Sequence, residues 1–113
     1  MQIVQDKISV DELKQMSKKM FGNLVKAVVD IDKEIMAIDA ELHADQENFL
    51  LESGSLQKNL WGINLYPDLI GDENWIEFDS MINLRPSSGN LSRGINDKII
   101  QDKIKTIVNK LVK

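Results

Sequence analysis

Residues 25–31 read VKAVVDI, and an apolar side chain occupies every second position from Val25 to Ile31. The stretch is rich in β-branched residues, which favour strands. A polar break of hairpin length follows at residues 32–34, and a second alternating run covers residues 36–42. The pattern therefore predicts two antiparallel strands joined by a tight turn.

Two further alternating runs predict two more strands. Residues 60–66 read LWGINLY and end at Pro67, which has no N–H to donate to a β-ladder. After the polar loop 68–74, residues 76–84 alternate again and predict a long fourth strand, which Pro86 terminates.

The two ends of the chain carry helical patterns. Ser9 and Glu12 have the spacing of a capping box, so the first helix is predicted over residues 10–21. Apolar side chains recur at helical spacing over residues 97–111, with Asn96 as the predicted N-cap. Both segments are predicted to be amphipathic helices with one apolar face.

Residues 45–58 fit two interpretations. Asp45 is a suitable cap for a short helix through Glu52 that Gly54 would close, whereas residues 49–52 also fit an extra strand. A short apolar run does not distinguish a helix from a strand. The helix is the preferred interpretation.

Together these elements predict one α+β domain over residues 1–113. It is a two-layer sandwich of about four mostly antiparallel strands, with the N-terminal and C-terminal helices on one face. The composition, 42% hydrophobic and 28% charged, is that of a soluble globular domain.

Charge and cysteine content bound the classes of function. A net charge of −4 disfavours nucleic-acid binding, which depends on clustered lysine and arginine. No apolar run approaches the roughly 20 residues that span a bilayer, so no membrane partner is expected. The chain has no cysteine, which excludes disulfides and thiol chemistry. A cytoplasmic location is expected.

The predicted phasing places a set of polar groups on the face opposite the helices. Its expected members are Asp30, Asp39, Glu41, His43, Asn64, Glu77, Asp79, Asn83 and Arg85. Alternate residues of one strand lie about 7 Å apart, so Asp39, Glu41 and His43 would form a row. Carboxylates beside an imidazole suit a divalent cation or acid–base catalysis.

The catalytic candidates are Glu41, His43, Asp45 and Asp79. No metal-ligand motif singles out a metal site, so no cofactor is assigned, although a divalent metal fits the ligand types. The alternative is a solvated sheet face, since antiparallel sheets often leave one face in water.

Both arginines of the chain, Arg85 and Arg93, fall in residues 85–94, RPSSGNLSRG, here called the arginine loop. Arginine presents a planar fork of donors that suits carboxylates and phosphates. Arg85, Ser88, Asn90 and Arg93 are therefore the predicted anion-binding residues. The alternative is an ordinary turn whose arginines bind an acidic neighbour such as Asp79.

Three segments carry a resemblance to a known family. Residues 41–45, 60–67 and 82–86 read ELHAD, LWGINLYP and INLRP. With these segments the chain resembles, over nearly its full length, small prokaryotic proteins catalogued only as a domain of unknown function. The resemblance implies no activity, but it directs attention to residues 41–45, 60–67 and 82–93.

Two hypotheses of function follow. The first is a non-catalytic interaction module, regulatory in role, that uses the open polar sheet face or an edge strand to engage a protein partner or itself and takes a small anionic ligand at the arginine loop. The second is a small metal-dependent or acid–base hydrolase that acts on a phosphate- or carboxylate-bearing molecule. Proximity of His43 to Arg85 would favour the second.

Overall fold

A computed structural model describes all residues from Met1 to Lys113. Five strands form one sheet in the order β1-β3-β2-β4-β5, and every neighbouring pair is antiparallel. The strands are β1 (Gln2–Val4), β2 (Val25–Asp30), β3 (Ile35–Ile38), β4 (Leu60–Leu65) and β5 (Ile76–Glu77). The helices are α1 (Val10–Met20), α2 (His43–Glu52) and α3 (Lys98–Leu111). The predicted α+β fold is confirmed, with five strands instead of four.

The terminal helices pack on one face of the sheet, as predicted. Their buried residues, such as Leu13 and Ile107, join a core of 19 buried residues with the odd-numbered side chains of β2 and β4. The Ser9 hydroxyl accepts a hydrogen bond from the Glu12 backbone N–H at 3.1 Å, so Ser9 is the predicted N-cap, while the Glu12 carboxylate accepts from the Ser9 hydroxyl and not from its backbone N–H. At α3 the cap is Asp97, one residue later than predicted. None of the helices combines the length and apolar character that crossing a membrane requires.

The β2–β3 hairpin forms, but β3 ends at Ile38 instead of residue 42. Asp39 adopts a left-handed backbone with φ of 64°, which breaks the extended conformation, and α2 begins four residues later at His43. The predicted row of Asp39, Glu41 and His43 on one strand is therefore wrong. The preferred helix in residues 45–58 is confirmed, since α2 runs to Glu52.

The face opposite α1 and α3 is covered, so the predicted open polar face is wrong. Leu50 of α2 packs with Val28, Ala37 and Leu60 in a second buried cluster, and Ile82 packs against its edge. Of the polar residues predicted to lie open on this face, Asp30, His43, Asn64 and Asn83 are buried, whereas Asp39, Glu41 and Glu77 are exposed. Asp30, for example, accepts hydrogen bonds from the Ser55 hydroxyl at 2.6 Å and from two amides of the hairpin turn.

The fourth predicted strand, residues 76–84, stops at Glu77. Beyond that point Ser80 crosses the sheet directly over Gly62, where an added Cβ would lie 2.5 Å from the Ser80 Cβ. Residues 81–83 then form a single 3-10 turn beside α2. The alternating pattern was misleading because this segment packs across the sheet face instead of extending the sheet.

Side chains bond the backbone groups that the short strands leave unpaired. The Asn83 amide bonds both the N–H and the C=O of Gly62, at 2.8 and 2.9 Å. Leu60 O accepts from Arg85, and Lys26 O accepts from Gln46 at 2.7 Å. These backbone groups lie beyond the last β4–β5 or β2–β3 pair. Because buried backbone groups need partners, this arrangement fixes where Asn83 and Arg85 sit.

Candidate anion-binding cleft

Asn90 organises the arginine loop. Its side-chain amide donates to the carbonyls of Asn83, Gly94 and Ser92 at 2.6, 2.8 and 3.1 Å. Its side-chain oxygen accepts a hydrogen bond from the backbone N–H of Asn96 at 2.8 Å. The side chain is buried and fully bonded. Asn90, predicted as an anion ligand, therefore shapes the loop and keeps no donor for a ligand.

Arg85 is held rigidly at the edge of β4. Its Nε donates to Ile82 O at 3.2 Å and its Nη2 donates to Leu60 O. The guanidinium lies over the Trp61 ring, 4.5 Å from the centroid, and Nη2 is 3.8 Å from Glu47 Oε2. Nη1 forms no hydrogen bond with the protein, so it remains available to a ligand.

Two cavities, of about 260 and 340 Å³, both border Arg85. Both are lined by Lys58, Arg85 and Ser88. We call this pair of cavities the arginine-loop cleft. The first is completed by Trp61, Gly89, Asn90, Asn96, Asp97 and Ile100, and the second by Gln57, Leu84, Pro86 and Ser87.

The cleft offers more positive than negative charge. Lys58 and Arg85 are its cations, and Lys58 forms no salt bridge with the protein. Its one carboxylate, that of Asp97, accepts from the Ile99 amide at 2.8 Å and caps α3. The Ser88 hydroxyl is an additional donor without a protein partner. This set of donors suits a carboxylate or a phosphate.

Arg93 does not join Arg85. Its Nε lies 2.8 Å from Asp79 Oδ1, both side chains are about half exposed, and Arg93 lines neither cavity of the cleft. The two arginines lie in one loop but contact different neighbours. Arg93 has the structural role that the alternative interpretation gave it, pairing with Asp79.

His43 is the first residue of α2 and only 9% exposed. Its Nε2 lies 2.7 Å from Ile63 O, so the neutral ring carries its proton on Nε2 and Nδ1 is the unprotonated nitrogen. Burial lowers the pKa of His43; the Ile63 carbonyl and Asp79 oppose this, while Lys26 and Arg93 add to it. Of the other catalytic candidates, only Asp79 has an electrostatic effect on His43.

The other two catalytic candidates do not bond to His43. Glu41 is exposed in the turn before α2, and Asp45 is exposed in the first turn of that helix. Asp45 does not cap the helix, whose N-cap is Leu42. No three His, Asp or Glu side chains are grouped as metal ligands. His43 and Arg85 also contact carbonyls three residues apart on β4, roughly 10 Å along the strand, so they belong to separate sites.

Several residues of the cleft were not predicted from the sequence. Lys58 and Gln57 lie in a 3-10 turn before β4, and Glu47, which contacts Arg85 from outside the cavities, lies on α2. Trp61 was not among the candidate site residues, yet its Nε1 is buried without a hydrogen-bond partner and the residue lines the cleft. The one signal was the segment 60–67, which the family resemblance had already marked.

We expect His43 to make the protein less stable in acid. Because its folded pKa lies below the ordinary value of 6.5, the unfolded chain binds a proton more readily. The stabilisation is complete above the unfolded pKa and is lost as the pH falls through the folded pKa. Urea denaturation of wild type and His43→Gln from about pH 7.5 to 5 checks this. The free energy of unfolding should fall more steeply with decreasing pH in wild type, by up to about 1.4 kcal/mol per pH unit. Parallel curves would contradict it.

Comparison with known proteins identifies the family. The sequence profile of the family described as "Protein of unknown function (DUF5674)" matches residues 2–111, so the chain belongs to this family. No functionally curated protein and no solved structure matches the chain significantly. The resemblance inferred from the sequence is confirmed, and the function has to be argued from the cleft.

Proposed function

We propose that this member of a family of unknown function is a small cytoplasmic binding module of a prokaryotic cell, without a catalytic step, that holds an anionic ligand in the arginine-loop cleft. One observation carries the proposal. Arg85 is fixed by two carbonyls and the Trp61 ring, while its Nη1 is left for a ligand beside Lys58 and Ser88.

Rigidity favours binding at Arg85. A free arginine side chain loses rotational freedom when it closes on a ligand, whereas Arg85 is already ordered in the folded protein. Hydrogen bonds from a guanidinium to an anion are about twice as strong as neutral ones. Cavities of about 260 and 340 Å³ accommodate a small ligand or one end of a larger one.

The shared chemistry of the ligand is a carboxylate or phosphate group. It can come from a free small molecule or from an acidic side chain or C-terminus of a protein partner, a second copy of this chain included. If the anionic group belongs to a protein partner, the chain is an interaction module, as hypothesised from the sequence. The face expected to carry that interaction is covered by α2, so the cleft replaces it as the proposed binding surface.

We expect Lys58→Gln to weaken binding of sulfate and acetate by about 5- to 10-fold, since one unpaired cation of the cleft is lost. Lys58 is exposed and forms no salt bridge, so the fold should be unaffected. Isothermal titration calorimetry checks the change, and a preference for either anion separates phosphate from carboxylate recognition.

The matched control is Lys103→Gln, which removes an exposed lysine from α3 outside the cleft. It should leave both affinities within about twofold of wild type, because only screened long-range charge is lost. Equal losses in the two variants would show that the anions respond to total charge and would reject the site.

Acid–base hydrolysis is the second candidate, on one specific observation. The Ile63 carbonyl holds His43 in a single neutral tautomer whose Nδ1 is a base, and the Asp79 carboxylate acts on the charge of this ring. We rank it second because His43 lines neither cavity of the arginine-loop cleft. If the protein hydrolyses p-nitrophenyl phosphate and His43→Gln does not, hydrolysis would be favoured over simple binding.

A further inference from the structure

The contact between Glu47 and Arg85 does not have the geometry of a pair that positions a guanidinium. Glu47 Oε2 lies 3.8 Å from Arg85 Nη2, whereas hydrogen-bonded pairs of this kind lie at about 2.7–2.9 Å. The Glu47 oxygen is buried and has no hydrogen-bond partner. The interaction is therefore one of charge, between two side chains that are 16% and 12% exposed.

Arg85 does not need Glu47 to stay in place. Its Nε and Nη2 are bonded to two backbone carbonyls, and its plane rests on Trp61. What Glu47 adds is a negative charge 3.8 Å from Nη2 of the guanidinium. A buried carboxylate oxygen without a donor costs stability, so its presence calls for a reason beyond packing.

We propose that Glu47 competes with the anionic group of the ligand for Arg85 and thereby sets the affinity of the arginine-loop cleft. This inference rests on the proposed function. Two negative charges beside one guanidinium repel each other in a partly desolvated setting. The other charged groups are Lys58 and Asp97, which line the cleft, and Gln57 is the neutral amide beside Glu47.

The competition makes binding depend on pH. Burial raises the pKa of Glu47, against the opposing effects of the Arg85 charge and the nearby Gln57 side chain. Once Glu47 takes up a proton it no longer repels an anion at Arg85. The affinity for an anion that does not itself titrate, such as sulfate, should therefore increase as the pH falls through the pKa of Glu47.

The test compares sulfate and acetate binding by wild type, Glu47→Gln and Glu52→Gln at neutral pH, and sulfate binding again at lower pH. Glu52→Gln is the matched control, the same substitution on the same helix at an exposed residue that bonds only to Asn48. We expect Glu47→Gln to bind sulfate about 5- to 10-fold more tightly than wild type and to lose most of the pH dependence. Glu52→Gln should stay within about twofold of wild type.

Each alternative result is informative. Weaker binding by Glu47→Gln would show that Glu47 positions Arg85, and unchanged binding would show that its charge has no effect. Either outcome overturns the competition while leaving the cleft as an anion site. Absence of binding by wild type and Glu47→Gln alike would instead reject the proposed function and, with it, this inference.

Discussion

Replacing Asn83 by alanine is expected to lower the free energy of unfolding by about 4 kcal/mol, a large fraction of the 5–15 kcal/mol typical of a domain. Asn83 is fully buried, and its amide bonds the N–H and C=O of Gly62 and also Arg93 O at 3.0 Å. Alanine leaves these backbone groups buried without partners, at about 1–3 kcal/mol for each. It also opens a cavity beneath the arginine loop.

Urea denaturation of Asn83→Ala measures the loss, with Asn48→Ala as the control. Asn48 is exposed and bonds only to Glu52 at 3.2 Å, so its loss should cost less than about 0.5 kcal/mol. A destabilisation below about 1.5 kcal/mol in Asn83→Ala would show that water replaces the lost amide. The Asn83 side chain would then not be required to satisfy the Gly62 backbone groups that β5 leaves unpaired.

Gly62→Ala is expected to cost about 3 kcal/mol, the second large effect. The new methyl group would lie 2.5 Å from the Cβ and 2.6 Å from the Oγ of Ser80, which is itself buried. Overpacking of this kind typically costs about 1–3 kcal/mol, and here it also pushes residues 80–83 away from β4. The displaced segment carries Asn83, so both bonds to Gly62 weaken with it.

A double variant tests the cause of that loss. Ser80→Gly removes the two nearest atoms, after which the next neighbour of the added methyl group is Ile82 Cγ1 at 3.1 Å. Gly62→Ala combined with Ser80→Gly should therefore be more stable than the sum of the two single variants predicts, by about 1 kcal/mol or more. Strict additivity would mean that the close approach does not limit residue 62, and thermal or urea unfolding of the four proteins settles the point.

The terminal helices were predictable because their signals are local. The capping box at Ser9 and the apolar stripe of α3 need no knowledge of distant residues, and both helices were placed to within one residue. The alternation in β2 and β4 was equally informative. These two strands lie at the centre of the sheet, where one side of each faces the main core.

The error over residues 76–84 came from a contact that no local pattern contains. Alternating side chains suit a strand, but they also suit a segment that lies across a sheet and buries every second residue. Ser80 can approach the sheet because residue 62 is glycine, 18 positions earlier in the chain. The error at His43 was similar, since a single left-handed residue, Asp39, ended β3 while the apolar pattern continued.

The sequence singled out the arginine loop as the candidate site, and in the structure two cavities lie beside Arg85. The contacts within the loop could not be predicted from the sequence. The sequence did not show that the Asn90 side chain would hydrogen-bond backbone carbonyls of the loop, or that Arg93 would pair with Asp79. The sequence also did not predict that Lys58 and Glu47 lie near Arg85, because this depends on how α2 and the turn before β4 pack.

The most direct test of the cleft is a titration of the ¹⁵N-labelled protein with sulfate and with acetate, followed through the indole N–H signals of its two tryptophans. Trp61 lines the cleft against Arg85, whereas Trp75 lines a different cavity beside α3. We predict a saturable shift of the Trp61 signal, with the Trp75 signal unchanged. Equal linear drift of both signals, or no movement of Trp61 at high anion concentration, would contradict anion binding at the arginine loop.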